Sequence, residues 1–136
     1  MREYYVYEDS CISCVGSFRI QDSDQVPILD AKGECNFTID DLAILGSRGY
    51  EIARVQQDWC WSCNNYSIYR ENTKIGSIYR AFTWCCEMLH LHSGRGHYVF
   101  RGSCGGRYVV ERDGRLVAII TRLSYQDVIC NRQILV

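Results

Sequence analysis

The sequence lacks the features of a membrane-spanning, exported or helix-rich chain. It has 136 residues with a single proline, and no apolar run approaches the roughly 18 residues that a spanning helix needs. The opening segment, Met1 to Asp9, has no apolar core of a secretory signal. Apolar residues at helical spacing are almost absent. We therefore expect a soluble, cytoplasmic protein without a transmembrane segment.

Motifs of catalysis and of nucleotide binding are missing as well. Serine, histidine and aspartate do not occur in a triad order, and no nucleophile elbow is present. The turn Gly102-Ser-Cys-Gly-Gly106 has neither the lysine nor the following helix of a phosphate-binding loop. Redox enzymes commonly place a Cys-x-x-Cys motif at a helix N-terminus in an α/β fold. The present sequence predicts neither such a helix nor a parallel sheet. We expect a protein that is not an enzyme, and nothing indicates a nucleic-acid partner.

The overall composition is typical of one globular domain. Apolar residues make up 47% of the chain and charged residues 23%, which are the values of a packed chain rather than a disordered one. No linker, low-complexity tract or change in composition divides the sequence. We therefore expect a single domain over residues 1–136.

Short alternating runs of apolar and polar residues recur along the chain with polar turns between them, which is the pattern of β-hairpins. Asp113-Gly114 is the strongest turn signal, because both residue types tolerate positive φ. The lone Pro27 indicates an edge position in its run. About twelve short strands predict an all-β fold, an antiparallel meander closed or nearly closed into a barrel. Further turns are predicted at residues 22–24, 47–49, 71–73 and 93–96.

A repeated cysteine motif indicates a duplicated supersecondary unit. Asp9-Ser-Cys11-Ile-Ser-Cys14 returns as Asp58-Trp-Cys60-Trp-Ser-Cys63, offset by 49 residues, and a strand-like segment follows each copy. Two Cys-x-x-Cys pairs suit tetrahedral zinc, although the 45 residues between them exceed ordinary zinc-ribbon spacing. The nine cysteines are an odd number and no export signal precedes them, so we expect reduced thiols. Unligated thiols in aromatic loops are favoured over a zinc site formed by Cys11, Cys14, Cys60 and Cys63.

Charge is divided unevenly along the chain. Residues 1–68 hold 5 basic and 11 acidic side chains, whereas residues 69–136 hold 10 and 5. Arginine supplies 13 of the 15 cations, and its planar fork suits phosphate or carboxylate groups. This bias favours an anionic partner; the alternative is an ordinary surface of solvated charges. The candidate phosphate-binding residues are Arg95, Arg101, Arg107, Arg112, Arg115 and Arg122, among which Arg101 and Arg112 are expected to approach each other across neighbouring strands.

The histidines are few and close together in sequence. His90 and His92 are two residues apart in a strand-like run and so share one face, opposite Leu89 and Leu91. A solvent-facing polar edge is the favoured interpretation of His90, His92 and His97, and metal ligation with the nearby Cys85 and Cys86 is the alternative.

The order of motifs along the chain resembles a known family. The motifs are Tyr5-Val-Tyr7, Ser17-Phe-Arg-Ile-Gln-Asp22, Leu42-Ala-Ile-Leu45, Gly49-Tyr-Glu51-Ile-Ala-Arg-Val-Gln-Gln57, Tyr66-Ser-Ile-Tyr-Arg-Glu71, Ile75-Gly-Ser-Ile78 and Tyr108-Val-Val-Glu-Arg-Asp-Gly114 with Val117-Ala118. Over residues 4–126 this set resembles the LURP-one-related proteins of the tubby C-terminal-like superfamily, with the phospholipid scramblases as the next relatives. The resemblance implies a twelve-stranded antiparallel barrel around a central apolar helix. After Ser124 this sequence has no segment left for that helix, so bulky side chains fill the barrel, or it is flattened or open, or a second copy or another partner supplies the helix.

The resemblance also implies a function. Tubby-like relatives bind phosphoinositide headgroups, so we expect a non-enzymatic module, peripheral at membranes, that binds anionic phospholipid or a protein partner. Scramblase-like S-acylation would fall on Cys85 and Cys86. A zinc-stabilised structural protein is the first alternative, and a scramblase-like lipid translocator is a weaker one.

Overall fold

The computed structural model describes seven stretches of the chain, and all of its secondary structure in them is β-strand. The described residues are 2–9, 17–36, 39–59, 65–82, 87–102, 107–122 and 133–135. Within them there is no helix, which confirms the predicted all-β class. The strands are β1 (Tyr4–Asp9), β2 (Ser17–Asp22), β3 (Pro27–Asn36), β4 (Ile39–Gly46), β5 (Glu51–Gln57), β6 (Asn65–Arg70), β7 (Thr73–Phe82), β8 (Glu87–Ser93), β9 (Gly96–Gly102), β10 (Arg107–Arg112), β11 (Arg115–Arg122) and β12 (Gln133–Leu135).

The strands form one antiparallel meander, as the hairpin pattern predicts. From β1 to β11 each strand pairs with the next one along the chain. The three-residue β12 lies between the two outer strands and pairs with β1 through three residue pairs and with β11 through two. The central helix and a fully closed tubby-like barrel stay predictions.

Tight turns join the strands at one end of the sheet. Glu71 and Asn72 have φ of 48° and 63°, and Asp113 and Gly114 have 49° and 79°. Two successive residues with positive φ match the two-residue hairpin turn whose twist fits the flanking strands. The Asp113-Gly114 hairpin is therefore confirmed. In a meander every second connection lies at the same end, so the turns after β2, β4, β6, β8 and β10 share this end.

The two faces of the sheet differ in chemistry, because successive side chains point to opposite faces and paired residues share a face. The apolar face carries Val6, Phe18, Ile20, Leu29, Ala31, Leu42, Ile44, Val55, Ile68, Ile78, Leu89, Leu91, Phe100, Val110 and Ile120. The polar face carries Arg19, Asp30, Asp41, Arg54, Ser67, Tyr79, His90, His92, His97, Arg101 and Glu111. The polar face also carries Leu45, Val99 and Val109, and the apolar face also carries the Arg80–Glu87 ion pair, so the two faces differ in the proportion of polar residues.

Candidate functional site

All three histidines of the chain lie together on the polar face. His90 is paired with Tyr79 of β7, and His92 is paired with His97 of β9. The rings of each pair are parallel, with centroids 4.7 Å apart for Tyr79 and His90 and 4.1 Å for His92 and His97. We call Tyr79, His90, His92 and His97 the histidine cluster. Its four rings form a compact two-by-two array across three strands.

Hydrogen bonds run along the diagonals of the histidine cluster. His90 Nδ1 lies 3.0 Å from His97 Nε2, and His92 Nε2 lies 3.0 Å from the Tyr79 hydroxyl. The bond between the two imidazoles needs one N–H and one lone pair. A doubly protonated His90–His97 pair would have only donors there and would lose this bond. The geometry therefore favours imidazoles that are not all protonated.

The electrostatic surroundings of His90 also disfavour its protonated form. Loss of hydration lowers the pKa of His90 below its ordinary value of 6.5, and the nearby positive charges of His97, His92 and Arg101 lower it further. The folded protein therefore binds a proton at His90 less readily than the unfolded chain does.

A pH dependence of stability follows from this shift. As pH falls below about 6.5 the unfolded chain takes up the proton first, so the free energy of unfolding should decrease until the lower pKa of folded His90 is passed. Urea denaturation between about pH 7.5 and 5 measures it. His90→Gln should flatten the profile over this window. Equal slopes for the two proteins would show that His90 is not responsible.

The histidine cluster is tied to the neighbouring hairpin turn. The backbone N–H of His97 donates to Asp113 Oδ1 at 3.0 Å, and the backbone N–H of Asp113 donates to the His97 carbonyl at 2.9 Å. Arg112 Nε lies 3.7 Å from Asp113 Oδ2, and its guanidinium stands 5.7 Å from the centre of the Tyr98 ring. The backbone of His97 thus holds β9 against the turn between β10 and β11.

Three neighbouring turns form an exposed basic surface. We call residues 70–75, 94–96 and 112–117 the basic tip surface; they join β6 to β7, β8 to β9 and β10 to β11. Successive tips are two strands apart, or about 10 Å. The surface contains five basic and two acidic side chains, a net charge of +3: Arg70, Lys74, Arg95, Arg112 and Arg115 against Glu71 and Asp113.

Exposed apolar side chains accompany these cations. Ile75, Leu116 and Val117 are 36%, 61% and 50% exposed and belong to the basic tip surface. The turns after β2 and β4 at the same end also expose Val26 and Tyr50, but they carry Asp22, Asp24 and Glu51 against the single Arg48. The two halves of the chain therefore present different charges at this end of the sheet.

The six predicted arginines do not form one site. Arg95, Arg112 and Arg115 belong to the basic tip surface, Arg101 and Arg107 lie within or at the far end of the sheet, and the Arg122 side chain is outside the described residues. Arg101 is paired with Val109, whereas Arg112 is paired with Tyr98. Three residues separate these positions along β10, so Arg101 and Arg112 lie on opposite faces. The predicted approach of these two arginines is wrong.

Arg101 has a partner of its own. Its Nε lies 3.4 Å from Glu111 Oε2 across the β9–β10 pair, with the Arg101 side chain about half exposed. Exposed pairs of this kind contribute little to stability.

Among the described residues, two polar side chains on the polar face are buried. Ser67 is 1% exposed and its hydroxyl donates to Asp58 Oδ1 at 2.6 Å. Asp58 begins the second copy of the repeated cysteine motif, and its backbone N–H donates to the carbonyl of Asn65 at 2.9 Å. The motif's aspartate thus fixes the start of the connection between β5 and β6.

Asp41 is the second buried polar residue. It is 7% exposed, with Oδ2 3.6 Å from Nη1 of Arg54, and its Oδ1 accepts no hydrogen bond from the described residues. Arg54 also donates from Nε and Nη2 to the two carboxylate oxygens of Glu51, at 3.2 and 2.8 Å. These bonds lower the pKa of Glu51 below its ordinary value of 4.5.

The predicted zinc and acylation residues lie outside the described residues. These are Cys11, Cys14, Cys60 and Cys63 for zinc and Cys85 and Cys86 for acylation. The strand ends that flank them all lie at the end of the sheet opposite the tight turns, as the repeat predicts for equivalent connections. Along the sheet, four strand widths, or about 19 Å, separate the β1–β2 and β5–β6 connections. Among the residues with described positions, no three His, Cys, Asp or Glu side chains are arranged to hold a metal ion.

Comparisons with known proteins assign no family. No family model matches the sequence, and no curated protein or solved structure matches it either. In the described part of the chain no helix is long and apolar enough to cross a membrane.

Proposed function

We propose that this protein is a non-enzymatic β-sheet module that attaches peripherally to anionic phospholipid membranes through the basic tip surface. The observation that carries the proposal is the combination of a net charge of +3 with exposed Ile75, Leu116 and Val117 on three adjacent turns. The motif order that resembles LURP-one-related proteins supports the same ligand class.

The energetics of such a surface suit a reversible membrane contact. Each Lys or Arg near an anionic leaflet contributes about 1 kcal/mol of attraction. Aliphatic side chains at the tips add apolar burial among the lipid headgroups and acyl chains. Contributions of this size make attachment dependent on salt concentration and on the anionic lipid content of the membrane.

We also propose that the sheet closes into a tubby-like barrel. In the tubby-like arrangement that the motif order resembles, β12 would complete a barrel whose apolar face encloses a helix. The half-buried side chains of the apolar face are consistent with that role.

The test is charge reversal on the basic tip surface. Arg95→Glu/Arg115→Glu should weaken binding to phosphatidylcholine vesicles that contain phosphoinositide by more than about tenfold at low salt, because two attractive charges become repulsive. Vesicle co-sedimentation measures the affinity, and far-ultraviolet circular dichroism checks that the variant is folded.

The matched control is Arg19→Glu/Arg107→Glu, which changes the net charge equally but lies on the sheet and at its far end, away from the tips. It should bind nearly as the parent does. Equal loss in both variants would mean that net charge alone matters. No binding of the parent to anionic vesicles, at any salt concentration, would eliminate lipid attachment and leave the protein partner as the alternative. Displacement by soluble phosphate would show recognition of the phosphate group rather than of the membrane surface.

A further inference from the structure

The histidine cluster lies immediately beside the basic tip surface. His92 and His97 are the first pair beyond Ser93 and Gly96, which flank the turn between β8 and β9. Two residues of strand span about 7 Å, which is shorter than the screening length of about 8 Å at physiological salt. Charge on the imidazoles therefore adds to the field at the tips.

We propose that the histidine cluster makes membrane attachment proton-dependent, so that the protein binds an anionic membrane more tightly as pH falls below about 6.5. This regulation rests on the proposed membrane function and concerns the same surface.

The free protein holds the cluster in a state that resists full protonation. The His90–His97 bond requires a lone pair on one of its two nitrogens, and the rings of His92 and His97 are parallel at 4.1 Å. Positive charges on both members of either pair would repel each other at short range. Full protonation therefore needs compensating negative charge.

Among the described residues, the groups that face the cluster do not supply enough negative charge. Tyr79 faces it from β7 as a neutral phenol, and Arg101 of β9 adds a positive charge. On β10 the Glu111 carboxylate is paired with Arg101, and Asp113 beyond it lies 3.7 Å from Arg112. Arg95 occupies the cluster's own turn and is also cationic.

An anionic membrane supplies the missing charge. A proton that binds less readily to His90 of the free protein binds more favourably beside a negative surface, so attachment to the membrane takes up protons. By linkage, a reaction that takes up protons is strengthened as pH falls. Each imidazolium gained near the membrane should tighten binding about fivefold.

The experiment compares vesicle affinity at about pH 7.5 and 5.5, the range in which histidine titrates. The probe is a phosphatidylcholine vesicle containing phosphatidylglycerol, whose headgroup charge is constant across this range. The parent should bind about 25-fold more tightly at the lower pH, which corresponds to two added charges at about fivefold each. The variant His90→Gln/His92→Gln/His97→Gln should bind as the parent does at the higher pH and gain less than about threefold at the lower one.

A measurement on the unaltered chain avoids dependence on that variant. Proton NMR of the imidazole Cε1–H signals should show a higher pKa for His90 with anionic vesicles than with pure phosphatidylcholine vesicles. Equal affinity at both pH values, or imidazole titrations indifferent to anionic lipid, would overturn the proton dependence and leave the proposed membrane function standing. Absence of vesicle binding at both pH values would overturn both.

Discussion

Replacing Arg54 with methionine is expected to lower the free energy of unfolding by about 2–3 kcal/mol. The guanidinium is the charged partner of Asp41, a carboxylate only 7% exposed, at 3.6 Å. Removing the guanidinium leaves the buried carboxylate of Asp41 without a compensating positive charge. Loss of one partner from a buried ion pair destabilises a protein strongly for this reason. Partial exposure of Arg54 places the expected cost below that of a fully buried pair. Chemical denaturation measures the difference.

Arg19→Met is the matched control for this prediction. Arg19 and Asp30 form a cross-strand pair on the same polar face at 3.1 Å, but both side chains are substantially exposed. Its loss should cost less than about 1 kcal/mol. In the Arg54→Met background, Asp41→Asn should restore part of the lost stability because the uncompensated charge is gone. Equal costs for the Arg54 and Arg19 variants would contradict the importance of burial at Asp41.

Gly76→Ala is expected to destabilise the protein by about 2 kcal/mol. A Cβ at Gly76 would lie 2.8 Å from the backbone oxygen of His92 and 3.5 Å from Ile68 Cδ1. The close atom belongs to the backbone of a paired strand and cannot turn aside as a side chain can. The sheet would have to separate locally at the β7–β8 pair, beside the histidine cluster.

Gly94→Ala provides the comparison on the adjoining turn. A Cβ there meets no atom within 4 Å, and Gly94 does not have a positive φ. Its effect should stay within about 0.5 kcal/mol. Denaturation midpoints of both variants test the contrast, and indistinguishable midpoints would argue against a close approach at Gly76.

Local patterns in the sequence predict the strands and turns but not their cross-strand partners. Asp113-Gly114 identifies its hairpin because the residue types dictate the backbone conformation there. Alternation likewise places His90 and His92 on one face, as observed. Partners across strands depend on register, and a shift of one residue moves every side chain to the other face. That dependence explains why the predicted approach of Arg101 to Arg112 is wrong.

His97 illustrates what register adds. It joins the histidine cluster because the turn has only Gly94 and Arg95 between the paired Ser93 and Gly96, which brings His97 opposite His92. A turn one residue longer would have paired His92 with a different side chain. The basic tip surface is likewise invisible in any single segment, because its residues are brought together only when alternate connections fall at one end. The excess of basic residues in the second half of the chain is the sequence feature that indicates the basic tip surface.

The bond between His90 and His97 also couples the neutral forms of the two rings. If Nδ1 of His90 carries the hydrogen, Nε2 of His97 must be bare and its remaining hydrogen sits on Nδ1; the opposite arrangement reverses both rings. Of the four combinations of neutral tautomers, only two satisfy the contact. The pair therefore behaves as a single two-position element, in which neither ring can change its tautomer without the other.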